Sequence, residues 1–194
     1  MAIRKVGVVG CGLMGSGIAQ VCAQAGYETR VREISDAALA KGIARIDKFL
    51  QGGVDKGKMT ADQKAAIVGK ITGTTKLADL GDCDLIVEAA VENIAAKHEV
   101  FAALDAACGP NTIFASNTSS IAIHRLAEAV SRDRRARFLG MHFFSPVPVM
   151  PLVELIRGRD TADETEAAIR ELSVALGKQV IVSADRPGFI VNRI

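Results

Sequence analysis

The chain has 194 residues, 49% of them hydrophobic and 24% charged, with a formal net charge of +2. That length supports one well-cored domain, and the composition argues against disorder. The near-balanced charge, the absence of tryptophan and a single tyrosine leave no basic, aromatic surface for nucleic acid. No apolar run reaches the length of a membrane span, so no membrane partner is expected. Met1-Ala2-Ile3-Arg4-Lys5 runs straight into a strand pattern without the apolar stretch of a signal peptide, which makes a cytoplasmic location the default expectation. Cys11, Cys22, Cys83 and Cys108 are scattered, with neither a Cys-x-x-Cys pair nor a histidine at ligand spacing. They read as reduced, buried small hydrophobes, and no metal is implied.

Residues 3–9 form an apolar strand pattern that breaks into Gly10-Cys11-Gly12-Leu13-Met14-Gly15, a Gly-x-Gly-x-x-Gly turn. In such a turn Gly10 allows the tight reversal, Gly12 lets backbone approach a pyrophosphate, and Gly15 lets the next helix pack closely. That helix, with Ile18, Val21, Cys22 and Ala25 at helical spacing before Gly26, presents free N–H groups and a positive dipole end to a phosphate. A second strand over 29–33 ends in Glu33, 23 residues after Gly10. A carboxylate at that spacing reaches ribose hydroxyls and favours NAD over NADP, whose 2′-phosphate would meet like charge. Arg30 and Arg32 interrupt the same strand. They read as side chains snorkelling to solvent from a partly covered strand, or as groups that soften the cofactor preference.

A helical excursion follows, over 36–50 and again over 60–68, separated by Gly52-Gly53. Strand patterns at 71–74, 84–89 and 112–115 then alternate with helical ones at 93–107 and 120–130. Arg132-Asp133-Arg134-Arg135-Ala136-Arg137 reads as a solvated loop, or alternatively as a patch for a phosphorylated ligand. Two further strands are expected at 138–143 and 152–156. Thr161-Ala162-Asp163-Glu164 carries a capping-box pattern opening a helix that Gly177 stops, and a last strand spans 180–182. This alternation predicts an α/β sheet with helices on both faces, parallel at least in its first half. Residues 187–192 look like a turn into a new helix, so 1–186 is read as one domain and 187–194 as the start of a linker into a missing one.

Oxidising a secondary alcohol with a nicotinamide cofactor needs a proton acceptor and polar groups that hold the oxygen. Histidine is the natural residue type near neutral pH. His98 and His124 lie in polar helical stretches, whereas His142 ends the apolar strand Phe138-Leu139-Gly140-Met141-His142-Phe143. Glu154, inside Leu152-Val153-Glu154-Leu155-Ile156, is a carboxylate that needs a hydrogen-bonded partner to offset desolvation. On neighbouring strands it would orient the His142 imidazole. Ser116-Asn117-Thr118-Ser119-Ser120 follows a strand at the sheet edge where ligands of such folds bind, although Ser119 or Ser120 could equally be a helix cap.

Five segments together resemble the L-3-hydroxyacyl-CoA dehydrogenase family, and in particular its bacterial members acting on 3-hydroxybutyryl-CoA. They are the glycine turn at 10–20, Val-Glu-Ala-Ala-Val-Glu-Asn at 87–93, Ser-Asn-Thr-Ser-Ser at 116–120, Met-His-Phe-Phe-Ser-Pro at 141–146, and Pro-Gly-Phe-Ile-Val-Asn-Arg at 187–193. The resemblance implies a Rossmann-type doubly wound sheet with a helical excursion after its second strand, followed in the family by a helical, dimer-forming C-terminal domain that is absent here. It implies NAD as cofactor, an acyl-CoA substrate, and reversible oxidation of an L-3-hydroxyacyl-CoA to a 3-ketoacyl-CoA. His142 would be the general base and acid, Glu154 its orienting partner, and Ser119 and Asn192 the groups holding the substrate oxygen. Gly10, Gly12, Leu13, Met14, Gly15, Glu33, Glu92, Lys97, Asn117 and Ser145 would contact the cofactor, and Lys56 and Lys58 the CoA portion. Ser145 stands where many stand-alone members have Asn, and Pro151 replaces a frequent Lys. Two other readings remain beside this one: a hydroxyacid dehydrogenase using a catalytic Lys, and a non-catalytic NAD-binding module whose fragment binds cofactor without turnover.

Overall fold

Valine-rich and isoleucine-rich segments too short to bury themselves alone assemble into one eight-stranded sheet in this computed structural model, which describes residues 2–186 and 188–190. The strands are β1 (Lys5–Val9), β2 (Glu28–Arg32), β3 (Ile71–Thr74), β4 (Leu85–Glu88), β5 (Ile113–Ser116), β6 (Phe138–Phe143), β7 (Leu152–Arg157) and β8 (Gln179–Ala184). Their order is β3-β2-β1-β4-β5-β6-β7-β8. The first six run parallel; β7 pairs antiparallel with β6 and parallel with β8. The chain builds outward from β1 to β3, then returns to the other side of β1 with β4. That reversal opens a crevice at the carboxyl ends of β1 and β4, where ligands of doubly wound sheets bind.

Helices cover both faces, as the alternation predicts. On one face α1 (Leu13–Gln24), α2 (Asp36–Asp55) and α6 (Asp163–Ala175) bury Ile18, Ile46, Leu50 and Ile169 against Val8, Val31, Val87 and Leu155. The short α3 (Ala61–Val68) completes the excursion, opened by a Thr60–Gln63 capping box. On the other face α4 (Ile94–Ala107) and α5 (Ile123–Leu126) bury Phe101, Leu104 and Ile123 against Ile86, Phe114 and Phe138. The Phe101 ring meets Phe138 edge-on at 4.7 Å. Among the described residues no helix is long and apolar enough to cross a membrane.

Four expectations need correction. The first excursion helix does not stop at Leu50 but continues through Gly52-Gly53 to Asp55, because its fully buried Leu50 and Ile46 keep the face packed beyond the glycines. The helix expected over 120–130 shrinks to a four-residue α5 and a 3-10 turn at Ala127–Ala129. Thr118 and Ser120 are tied to Glu92, and the Asp185 carboxylate accepts the N–H groups of Ile123 and His124, so the first turn starts only there. The capping box at Thr161 does not form: its Oγ1 donates to the Phe138 carbonyl at 2.6 Å and accepts the Gly158 N–H, leaving Ala162 at the helix start. The arginine run is not uniformly solvated. Arg134 is buried, bonded to Asp105 and to the carbonyls of Gly109 and Thr112, with its guanidinium 4.7 Å from the Phe114 ring centre.

Arg30 does reach solvent-facing partners, pairing with Asp82 at 2.8 Å and with the Asp79 carbonyl. All four cysteines are free and buried. Burial pushes the thiols of Cys22 and Cys83 up to about 12, and those of Cys11 and Cys108 to about 11, with the Glu33 carboxylate adding to the rise at Cys11. At pH 8 the thiolate fraction of Cys11 is therefore about a thousandth. Iodoacetamide at pH 8 is expected to leave the four native thiols unmodified for hours and to alkylate all four within minutes in guanidinium, as read by mass spectrometry.

Candidate active site

The glycine turn is held from both sides. Gly10 has φ +93°, which a side chain rarely adopts, and a Cβ there would lie 2.7 Å from the Ala89 carbonyl oxygen. A Cβ on Gly15 would lie 1.8 Å from the Gly10 oxygen, so α1 could not pack against the turn. Gly12 differs: nothing stands within 4 Å of its Cβ position, which leaves its backbone bare at the head of α1. A cleft of about 690 Å³ opens there, lined by Gly12, Leu13, Met14, Glu33, Ala90 and Val91 among others. Its size lies within the range of ligand pockets. Glu33 is on its wall, with Oε1 accepting the Cys11 N–H at 2.6 Å and Oε2 the Ile34 N–H at 3.0 Å. Arg32 also lines the cleft, its Nε donating to the Thr75 carbonyl at 3.3 Å.

A bare-backbone turn at a helix N-terminus, facing a cleft with a carboxylate on its far wall, fits a dinucleotide. Gly12 and the first N–H groups of α1 would hold the pyrophosphate and Glu33 the ribose hydroxyls. Cys11 takes no part in that surface. Its sulfur packs against Gly42 of α2, where a Cβ would come within 2.2 Å of it.

His142 lies farther along the sheet, on β6. Alternation along β6 sends Leu139, Met141 and Phe143 to one core and Phe138 and His142 to the other face. The antiparallel register sets His142 directly opposite Glu154, so their side chains share a face. His142 Nδ1 is 2.7 Å from Glu154 Oε2, with Glu154 fully buried and His142 4% exposed. The Ile190 N–H donates to the other Glu154 oxygen at 3.1 Å, and the Phe189 ring stands 5.8 Å from the imidazole. His142 Nε2 faces Ser119 Oγ at 3.2 Å. Ser119, His142 and Glu154 thus form one hydrogen-bonded line, brought together from the loop after β5, from β6 and from β7. His98 and His124 stand apart from it, bonded to the Arg125 carbonyl and to Asp185.

Ser119 is not a helix cap, and neither is Ser120. Both backbone N–H groups, together with the hydroxyls of Thr118 and Ser120, converge on Glu92 Oε1 at 2.5–3.2 Å. Burial pushes the Glu92 carboxyl up, but the Thr118 hydroxyl, the Lys97 ammonium and these donors outweigh it and hold it below its ordinary value. Lys97 is buried on α4 with Nζ 2.6 Å from Glu88 and 3.4 Å from Glu92. Asn117 uses its side-chain oxygen to accept the Phe143 N–H at 2.8 Å, which fixes the end of β6 beside the histidine. Ser145 is exposed two residues beyond β6. Lys56 and Lys58 are exposed at the tip of the excursion after α2. Asn192 lies outside the described residues.

One contributor was missed from sequence. Glu88, at the end of β4, is fully buried and accepts bonds from Lys97 Nζ, Ser116 Oγ and the Ala90 N–H. Its signal was the one that marks Glu154: a carboxylate in an apolar run, Leu85-Ile86-Val87-Glu88.

Comparison with known proteins finds relatives over nearly the whole chain. The profile of the family described as "3-hydroxyacyl-CoA dehydrogenase, NAD binding domain" matches residues 5–186. A 3-hydroxybutyryl-CoA dehydrogenase of Bradyrhizobium diazoefficiens is 49% identical over 192 residues, covering 99% of this chain and 65% of its own length. The fatty acid oxidation complex subunit alpha of Pseudomonas syringae is 42% identical, with 26% of its length covered. The crystal structure of (S)-3-hydroxybutyryl-CoA dehydrogenase from Ralstonia eutropha superposes with a TM-score of 0.96 at 49% identity, covering all of this chain and 68% of that one. The chain spans about two thirds of the length of these stand-alone relatives. With a matching profile over nearly its whole length, the chain belongs to the 3-hydroxyacyl-CoA dehydrogenase family and is its NAD-binding domain.

Proposed function

We propose that this domain carries the chemistry of an NAD-dependent 3-hydroxyacyl-CoA dehydrogenase, interconverting a short L-3-hydroxyacyl-CoA such as 3-hydroxybutyryl-CoA with its 3-keto form. The observation that carries the reading is the line Ser119–His142–Glu154, placed on the same sheet edge as a cleft built for a dinucleotide. When bound, the nicotinamide supplies the hydride acceptor or donor. The chain's own residues do the rest. Glu154 accepts a hydrogen bond from the Nδ1–H of His142 and so leaves the Nε2 lone pair facing the substrate side. In oxidation Nε2 takes the hydroxyl proton; in reduction it returns one to the ketone oxygen. Buried Glu154 balances the imidazolium formed in between. The Ser119 hydroxyl, fixed by backbone bonds to Glu92, donates to the same oxygen and holds it at Nε2. Phe189 and Phe144 close apolar walls around the imidazole and limit water.

Glu33 on the cleft wall favours NAD over NADP in this account. Asn192 would add a second donor to the substrate oxygen, and Lys56 and Lys58 would meet the CoA phosphates, as the family resemblance implies. A homodimeric assembly and a cytoplasmic location belong to the same reading. The test is a substrate panel with the full-length protein: acetoacetyl-CoA is expected to drive NADH oxidation at least about a hundredfold faster than free acetoacetate, with NADPH a poor substitute. Equal rates with the free acid would favour a hydroxyacid dehydrogenase instead.

A further inference from the structure

Glu88 is the one fully buried carboxylate besides Glu154 among the described buried residues, and nothing in the proposed chemistry uses it. Its Oε1 accepts Lys97 Nζ at 2.6 Å and the Ala90 N–H at 2.7 Å; its Oε2 accepts Ser116 Oγ at 2.6 Å. Lys97, 1% exposed, reaches on to Glu92 Oε2 at 3.4 Å, and Glu92 Oε1 accepts the Ser119 N–H at 2.9 Å. A second arm runs through Ser116, whose Oγ also accepts the Thr118 N–H at 3.3 Å. Both arms end at the backbone that presents Ser119. The Ala90 bond ties the same carboxylate to the wall of the dinucleotide cleft.

We infer that Glu88 is a positioning residue: through Lys97–Glu92 and through Ser116 it fixes the Ser119 hydroxyl at His142 Nε2 and holds that hydroxyl in register with the cofactor wall. The physical reason is charge balance around a buried ammonium. One ammonium sits between two carboxylates, and the stronger, shorter contact to Glu88 keeps Lys97 from drawing Glu92 away from the Ser119 and Ser120 N–H groups. Removing the Glu88 charge leaves Lys97 to close on Glu92, which turns Oε1 off the loop and loosens Ser119. A misplacement of that kind costs about ten- to a hundredfold in rate.

The inference rests on the proposed function only where turnover is read, so the experiment has two readouts on the full-length protein. The first is the ring carbon–proton signal of His142, assigned by its loss in His142→Gln. Glu88→Gln is expected to move it in the direction that Ser119→Ala moves it. The second is turnover of acetoacetyl-CoA with NADH: Glu88→Gln lowers kcat about ten- to a hundredfold in the wild-type background but within about twofold in the Ser119→Ala background, because the two changes break one interaction. Should Glu88→Gln fail to fold, Ser116→Ala, which keeps every charge, gives the same two patterns at smaller amplitude. An unmoved His142 signal, or a loss as large with Ser119 absent as with it present, overturns the inference. Absence of wild-type turnover with a moved signal overturns the proposed reaction and leaves the positioning role standing.

Discussion

Replacing His142 by glutamine in the full-length protein is expected to lower turnover about 10²- to 10⁴-fold while leaving NADH binding and the melting temperature close to wild type. The asymmetry follows from where the side chain sits. Its Nδ1 is occupied by Glu154 and its Nε2 points at Ser119, so a glutamine amide can still satisfy the buried carboxylate but offers no basic lone pair. The cofactor cleft is bounded by other residues and feels little of the change. Glu154→Gln is expected to cost a similar factor, since it no longer favours the Nδ1–H tautomer or balances the imidazolium. The double variant should then be scarcely worse than either single one, because the two residues act as one unit. Additive losses would mean that Glu154 serves the enzyme through stability alone. Steady-state kinetics alongside thermal melts separates these cases.

The second large effect concerns the glycine turn, where two neighbouring substitutions should behave differently. In Gly15→Ala the new methyl would lie 1.8 Å from the Gly10 oxygen, and Gly10 is held in place by its N–H bond to the Arg32 carbonyl at 2.8 Å. The turn must distort, at a cost of about 1–3 kcal/mol in stability, and NADH affinity is expected to fall about ten- to a hundredfold with it. In Gly12→Ala the methyl enters open space, so the free protein should melt within a few degrees of wild type. That open space is where the pyrophosphate would approach, and NADH binding should fall about as far as in Gly15→Ala. Fluorescence titration of NADH, paired with a melt of the free protein, reads both variants. Wild-type NADH affinity in Gly12→Ala would place the dinucleotide elsewhere.

The parts of this molecule legible in its sequence are those whose cause is local. The strand–glycine–helix opening, the second strand leading to Glu33, the start of the helix at Asp36 and the helix up to Ala107 all announce themselves by periodicity and caps. The His142–Glu154 pairing was also legible, because a carboxylate in an apolar strand demands a partner and the short connection between the two strands supplied one. What sequence did not reveal depends on groups far away in the chain. The helix expected over 120–130 starts late because Asp185, 62 residues from Ile123, provides its first acceptors. Arg134 is read as surface until Asp105 and three carbonyls are seen to surround it. Lys97 has a surface helix's sequence neighbours, yet tertiary packing turns it inward onto Glu88. Thr161 satisfies the capping pattern, but the Phe138 carbonyl competes for its hydroxyl and wins at 2.6 Å.

The Glu92 clamp has a consequence for pH. Its carboxyl is held below the ordinary value, so the stabilisation it contributes is fully present above the ordinary carboxylate range and is lost as pH falls through the lowered value. Acidification should therefore loosen the Ser119 loop before the buried sheet gives way.

The most direct test of the account is oxidation of (S)-3-hydroxybutyryl-CoA by the full-length protein, followed as NADH formation at 340 nm, with wild type and His142→Gln measured at equal NAD saturation. The account predicts steady NADH formation by wild type and a loss of about 10²-fold or more in the variant. NADH formation at an unchanged rate without His142 would contradict it.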